Sequence, residues 1–583
     1  MAKKKQTNNN HAHNNGRKNS NGNGGAPRGR NISPTAQSIK VSIAATNDQT
    51  PTDPDAFKAS TITTAVLNSF KIKEPHDAAA VAEATTVVQT VDSSAVRKDL
   101  THIPFVTIDG ITSRDFDDAV HAEPDTAADN VGGYLVNVAI ADVAWYVRPG
   151  SALDDQALSR GFSVYPPDRA VHMLPNELSE QACSLKPNVD RYALVAHIRV
   201  NKDGDVLDSS YSRAIIRSRA RLTYEGVDEF LAGELSGVPS VADTLIPPLH
   251  EVYEILNQNA MNRGKLKFSF GKMSSTIGAD GFVNGFVKDD NREGSRELIE
   301  ELMCLANCVV ARDLLAHGQY PVMTRVHEEP AEDQVTKAKA LLSAAGITKR
   351  HGEEWTLADI NKMLDDPAYA DKHDKIRSAA MKLINRGEYA INETGHFGLA
   401  LKTYCHFTSP IRRYPDLQVH RALISAFNLG EGGMAKDVDL KSMFNQAAAI
   451  NALDNQADAV YRIATDRYAL AFLHKTGPVH QATLKDIKKD GALVLAFENT
   501  PLKLTVDKSF VPADDFRINM KKRQLVDDMG TVIGINDNVP VRILSCNPLT
   551  GTFSIAMDGY TYPKGGTLQP MAQKDRKQAP KNG

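Results

Sequence analysis

The 583-residue chain contains no apolar run approaching the roughly 20 residues that cross a bilayer, and its start, MAKKKQTNNN, lacks the apolar stretch of a secretory signal. Neither a membrane anchor nor export is expected, and the expected location is the cytoplasm. Cysteine is scarce. Cys183, Cys304, Cys308, Cys405 and Cys546 form neither paired metal-ligand spacings nor an even disulfide framework, which points to reduced thiols. Acid is absent from the start: residues 1–40 hold eight Lys or Arg, and the first acid is Asp48. From Lys564 onward five basic residues face one acid, so removing both tails from the overall −3 leaves the body at −15.

The 42% hydrophobic content of a chain this long supports three or four domains. Nine Asn fall within residues 8–31 among Gly, Ser and Pro, a composition that buries too little apolar surface to fold, so residues 1–55 are expected to be disordered. Residues 56–98 show helical patterning (ITTAVLNSFKI, then DAAAVAEATTVV) and read as a short leader. From Phe105 the pattern becomes strand-like, with YLVNVAIADVAWYV at 134–147 apolar almost throughout. Helices return in SRELIEELMCLANCVVARDLL, where Leu298, Leu302, Leu305 and Val309 recur at helical spacing behind a Ser295 cap, and again at 442–473. Residues 99–475 therefore read as one large α+β domain. After Gly477 short strands with turns follow (VHQATLKDI, GALVLAFE, LKLTVDKSFV, VPVRILSC, GTFSIAM), the rhythm of an OB-type β-barrel at 476–563, ahead of a basic, disordered tail at 564–583.

Chemistry gathers in FVTIDGITSRDFDDAVHAE, residues 105–123, where an apolar strand runs into Asp109, Asp115, Asp117 and Asp118. Ionised carboxylates crowded beside an apolar core have raised pKa values unless a cation neutralises them, and hard oxygen ligands suit Mg²⁺ or Mn²⁺. A solvated acidic loop is the competing explanation. An EF-hand fails because the loop glycine and closing acid are missing, whereas a haloacid-dehalogenase-type phosphatase, with a DxD after a strand, stays open.

The second informative stretch is HFGLALKTYCHFTSPIRRYPDLQVHRAL, residues 396–423. Ser409-Pro410 reads as a helix entry with Arg412 and Arg413 in the first turn. Cations belong at the negative end of a helix, so arginines at its start point to an anion held there, most simply a phosphate. Pairing with Asp416 would explain them equally well.

With these two stretches, SVYPPDRAVHMLPNELSEQACSLKPNVDRYAL completes a set of three long motifs that resembles the ribonuclease II / RNB family over roughly residues 98–560. The resemblance implies a metal-dependent hydrolytic exoribonuclease that degrades single-stranded RNA processively from 3′ to 5′ by a two-metal-ion mechanism, releasing nucleoside 5′-monophosphates. Matched position by position, Asp109, Asp115, Asp117 and Asp118 fall on the metal-binding aspartates, with Asp117 the one tied to cleavage. Arg412 falls on the phosphate clamp. Tyr165 and Phe268 fall where the family grips the stacked 3′-terminal bases, and Tyr224 and Glu300 where it distinguishes ribose from deoxyribose. The implied cofactor is Mg²⁺ or Mn²⁺, and the expected partner is single-stranded RNA, bound by a monomer with no membrane involved.

One departure is visible. Bacterial members of the family place two cold-shock-type barrels before the catalytic domain, and the first 100 residues here are too short and too polar for them. Grip on long RNA would then fall partly to the basic tails. A catalytically inactive RNA-binding relative and the phosphatase are the remaining alternatives.

Overall fold

The computed structural model describes residues 39–43, 50–89, 97–234, 241–266, 272–289, 294–349, 355–513, 515–561 and 569–570. Strand β1 (Lys40–Ile43) comes first, followed by helices α1 (Ala59–Ser69) and α2 (Ala78–Gln89). Strands β2 (Lys98–Asp99), β3 (Val106–Asp109), β4 (Asp118–Pro124), β5 (Tyr134–Ala141), β6 (Asp190–Val200), β7 (Val206–Arg217) and β8 (Ala220–Thr223) build one sheet in the order β2-β7-β6-β5-β4-β3-β8. Its pairings are antiparallel except β2 with β7 and β3 with β8. In β5, consecutive residues Val138, Ala139, Ile140 and Ala141 are all fully buried, as a strand covered on both faces requires.

The apolar run at 134–147 is not one strand. It stops at Ala141, and after Asp142 a single helical turn, α3 (Val143–Tyr146), precedes α4 (Ala152–Arg160). The cause is Asp142, fully buried between Arg97 (2.8 Å) and Arg213 (2.9 Å), an arrangement that a continuing strand would break.

After β8 come α5 (Tyr224–Leu231), α6 (Ala242–Arg263), the hairpin β9 (Lys272–Ile277) with β10 (Val283–Asp289), and α7 (Ser295–His317). Leu298, Leu302, Leu305 and Val309 face the main core, as their spacing predicts. Ser295 does not cap α7. The cap position is Gly294, in left-handed backbone (φ 96°), and the Ser295 hydroxyl donates instead to the Tyr224 carbonyl (2.9 Å). Strand β11 (Met323–Val326) pairs with β12 (Glu388–Ile391), and between them α8 (Glu332–Ala344), α9 (Leu357–Asp365) and α10 (His373–Leu383) form a small core of their own. Helix α11 (Tyr414–Ala426) is followed by the long α12 (Leu440–Thr476). Among the described residues no helix is long and apolar enough to cross a membrane.

The C-terminal strands are β13 (Val479–Ile487), β14 (Leu493–Phe497), β15 (Lys503–Val506), the small sheet β16 (Phe516–Asn519), β17 (Gln524–Asp527) and β18 (Val532–Ile533), then β19 (Asn538–Asn547) and β20 (Thr552–Met557). The barrel-like sheet runs β1-β20-β19-β13-β14-β15. Its first strand corrects the expected boundary of the N-terminal tail. Residues 39–43 and 50–55 are folded: β1 pairs in parallel with β20 and also touches β15, standing between the two ends of the C-terminal strands. The alternation of Ile39, Val41 and Ile43, a period-two pattern at the edge of an Asn-rich stretch, packs against the barrel core. Of the expected disorder, residues 1–38, 44–49, 564–568 and 571–583 lie outside the described residues, while Gln569–Pro570 pairs as a short strand with Tyr560–Thr561, against the disorder expected of that tail.

Candidate active site

The four aspartates stand where β3 ends and β4 begins. Strand β3 hands off at Asp109, which pairs with Thr223 of β8, and β4 opens at Asp118, which pairs with Ile140 of β5. The loop between them is held from outside. Arg221 Nη2 donates to the carbonyls of Gly110 (2.6 Å) and Ile111 (2.9 Å). The Ser184 hydroxyl donates to the Arg114 carbonyl (2.7 Å) and accepts the Phe116 N–H (3.1 Å), while the Ala141 N–H donates to the Asp117 carbonyl (2.8 Å). Loop and strands together thus fix the carboxylates around one cavity of about 460 Å³, which Asp109, Asp115, Asp117 and Asp118 share with Tyr165, Tyr224, Glu300 and Arg412.

Burial sets the electrostatics. Desolvation, with the charge of Asp118 adding to it, pushes the Asp109 carboxyl up to about 8. Desolvation also raises Asp118, to about 6, and raises Asp117 against the opposing pull of Arg412. Asp109 Oδ2 is buried with no hydrogen-bond partner. Asp117 is better supported: Oδ1 accepts the Ile411 N–H (2.8 Å), and Oδ2 lies 3.6 Å from Arg412 Nε. Asp115 accepts the Tyr165 hydroxyl (3.0 Å) and lies 3.9 Å from His172.

The two arginines that looked equivalent in sequence part company. Arg413 is committed to Asp416, with Nε to Oδ2 at 2.9 Å and Nη2 to Oδ1 at 2.7 Å, and Asp416 is fully buried. Arg412 keeps 42% of its side chain exposed and faces the aspartates, its Nη2 donating to the Ser409 hydroxyl (3.0 Å). Neither lies inside the helix. Helix α11 begins at Tyr414, with Pro415 in the first turn, where its missing N–H breaks no helical bond, and Arg413 before it is held in an extended bridge with Phe162.

Tyr224 is half-buried at the start of α5, and Glu300 is exposed on α7, where it accepts Lys265 Nζ (3.1 Å). Phe268 lies outside the described residues. Sequence reading missed His172, Glu180, Asn307 and Tyr404. The first two form a pair 3.2 Å apart beside Asp115, and the Asn307 side chain donates to the Tyr404 hydroxyl (3.1 Å) in the cavity wall. None of these four lies in an arrangement whose spacing alone indicates chemistry.

Among the described residues no three His, Cys, Asp or Glu side chains are grouped closely enough to enclose a metal ion by themselves. Mg²⁺ is usually held by one or two carboxylates together with waters and substrate phosphates. The unpartnered oxygen of Asp109 and the raised carboxyls around it are the donors that such a shared ion takes.

The RNB domain family model matches residues 97–428, which span the sheet, the aspartates and Arg412. The chain belongs to the RNB domain family. Ribonuclease R of Escherichia coli is 31% identical over 467 residues, covering 78% of this chain and 57% of that protein. Ribonuclease R of Vibrio cholerae is 38% identical over 330 residues, covering 56% and 39%. The chain thus spans about half the length of the curated relatives it matches. The structure of Mycoplasma genitalium RNase R in complex with ribose-methylated single-stranded RNA superposes with a TM-score of 0.74 at 24% identity, covering 86% of this chain and 78% of that one, a likeness of fold. The RNB match begins at Arg97, so β1, α1 and α2 lie before it.

Proposed function

We propose that this RNB-family chain is a hydrolytic exoribonuclease that shortens single-stranded RNA from its 3′ end and releases nucleoside 5′-monophosphates, using Mg²⁺ or Mn²⁺. The observation that carries the reading is the convergence of four carboxylates, three with raised pKa, on the one arginine of the pair that is not bonded to Asp416. Asp109, Asp115, Asp117 and Asp118 would hold the metal, which supplies Lewis-acid stabilisation of a phosphate undergoing in-line displacement. Arg412 aims a guanidinium at charge developing on that phosphate. The Ile411 N–H holds Asp117 in place from the same loop, so metal-binding carboxylate and phosphate clamp keep a fixed separation. Tyr165 offers a stacking face for a terminal base, a contact that every base can make, and Phe268 is assigned to the same grip by the family resemblance. Tyr224 and Glu300 line the cavity where a ribose 2′-OH would be read.

The relatives named ribonuclease R support the activity, and the RNA bound by the M. genitalium protein supports the substrate class. An inactive relative would have no need for clustered, desolvated carboxylates that Arg412 does not fully offset, which cost stability and make no structural contact that a neutral residue could not make. The deciding experiment is 5′-labelled single-stranded RNA incubated with the chain and Mg²⁺. Shortening of the labelled strand from its 3′ end, release of nucleoside 5′-monophosphates from a uniformly labelled RNA run in parallel, and full suppression by chelator are expected. Release of phosphate from small esters without RNA shortening would favour the phosphatase instead.

A further inference from the structure

The loop that carries Tyr165 hangs between two supports, and one of them lies outside the RNB match. The loop doubles back on itself, with the Val164 N–H donating to the Val171 carbonyl (2.9 Å) and the Val171 N–H to that of Val164 (2.8 Å). One flank is bonded to the arginine segment through the Ser163 N–H and the Arg412 carbonyl (2.9 Å). The other flank rests on the leader. Val164 and Val171 share a core with Val66 and Leu67 of α1 and with residues of α12.

At the loop tip, three and four residues beyond Tyr165, the leader makes polar contacts. Asp168 Oδ1 accepts the hydroxyl of Thr63 (2.7 Å), which is fully buried and 2.7 Å from the equally buried Tyr468 hydroxyl. Arg169 forks onto Glu74, Nε to Oε1 at 2.7 Å and Nη2 to Oε2 at 3.1 Å, and Nη2 also donates to Thr64 (2.9 Å). Between this anchored pair and Tyr165 lie only Pro166 and Pro167, whose rings fix φ and restrict the residue before them. A displacement of Asp168 and Arg169 is therefore passed to Tyr165 with little slack. Tyr165 in turn bonds Asp115 of the carboxylate cluster.

We infer that Thr63 and Glu74 of the leader are positioning residues that set the height of Tyr165 over the cavity, and so govern the grip on the 3′-terminal bases of RNA. This rests on the reading of Tyr165 as a base clamp. Glu74 is 41% exposed in its side chain and Thr63→Val keeps the shape of the residue, so neither change removes a large packed surface. A purely structural leader predicts lower thermal stability with unchanged kinetics.

The test measures KM and kcat on a short single-stranded RNA for the full chain and for Thr63→Val, Glu74→Ala and Tyr165→Ala, alone and combined. Thr63→Val and Glu74→Ala should each raise KM roughly fivefold to tenfold, the scale of one hydrogen bond, with kcat within about twofold. Thr63→Ser, which restores the hydroxyl, should return KM to its original value. In a Tyr165→Ala background neither leader change should raise KM further, because both act through that ring. Losses that multiply independently of Tyr165, or unchanged KM in both leader variants, overturn the inference while the nuclease reading stands. If the unaltered chain cleaves no RNA, the nuclease reading falls and this inference with it.

Discussion

Two charged groups built around desolvated aspartates stand at the same end of the central sheet and are treated in opposite ways. Asp142, one residue beyond β5, sits between Arg97 and Arg213; burial pushes its carboxyl up, but the two guanidinium groups outweigh burial and hold it below the ordinary range. Across the strand pairing, where the Ala141 N–H meets the Asp117 carbonyl, Asp117 is buried and Asp109 and Asp118 are half-buried, all three with net shifts upward. The first group is a completed ion cluster that holds the turn after β5. In the second, Arg412, 3.6 Å from Asp117, does not outweigh burial, and the proposed metal would complete the cluster. Burial alone does not separate structure from function here. Whether the protein's own cations outweigh that burial does.

The sharpest way to break that comparison is to neutralise one member of each group. Asp117→Asn should reduce RNA cleavage by at least about 10³-fold, the scale of about 4 kcal/mol of transition-state stabilisation, with the fold as stable as before or more so. Asp142→Asn should instead cost stability, by about 3–5 kcal/mol, because it leaves two buried guanidinium groups without their carboxylate. Denaturant unfolding and single-turnover cleavage on both variants check this, and similar effects on the two properties would erase the distinction.

The adjacent arginines sharpen it further. Arg412→Ala should lower kcat by about 10² to 10³ with a much smaller change in RNA affinity, since a clamp aimed at developing charge acts mainly in the transition state. Arg413→Ala should act on the fold, leaving the fully buried Asp416 with only the Ser409 N–H (2.8 Å) of its present partners. Gel-shift affinity alongside turnover and melting temperature separates the two outcomes.

Specificity should move by less. Tyr224→Ala and Glu300→Ala should each narrow the ratio of RNA to DNA degradation by roughly tenfold while RNA turnover falls less, because a lost 2′-OH partner removes discrimination rather than chemistry. Parallel time courses on RNA and DNA of one sequence measure the ratio, and an unchanged ratio in both variants would remove these residues from the site.

The smallest effect is on stability against pH. A carboxyl whose folded pKa exceeds its unfolded value, near 4, favours the fold while protonated. That contribution is whole below about pH 4 and is lost as pH rises through about 6 for Asp118 and about 8 for Asp109. Metal-free protein should therefore melt lower at pH 8.5 than at pH 5 by about 2 °C or more from this cluster, and Mg²⁺ should reverse much of the fall. The difference between the melting curves of the unaltered chain and Asp109→Asn isolates the cluster from other groups.

Much of this arrangement was legible residue by residue. FVTID announces a buried strand because its apolar run is short and ends on charge, and the spacing of Asp115, Asp117 and Asp118 keeps three carboxylates within four residues of chain whatever surrounds them. The helical stripe of Leu298, Leu302, Leu305 and Val309 is likewise a local property. Short-range pattern failed where a distant partner decides. Ser295 looks like a cap, but its hydroxyl is taken by the Tyr224 carbonyl, 71 residues away. The apolar run past Ala141 looks like strand, but Arg97 and Arg213 capture Asp142. Ile39, Val41 and Ile43 look like the end of a polar tail, yet they complete a sheet whose other strands lie more than 400 residues later.

What the sequence determined by itself, then, was the inventory: a basic start, an acidic body, strands and helices of the right periods, four aspartates within ten residues and two adjacent arginines. These follow from local spacing and composition, which need no knowledge of neighbours. Which arginine is taken up by Asp416, which aspartates have cations that do not outweigh their burial, and that Thr63 and Glu74 reach the Tyr165 loop were decided only by tertiary structure. Charge compensation and loop support are pairwise and long-range, depending on distances between atoms such as Ile411 and Asp117, 294 residues apart in the chain and 2.8 Å apart in the fold.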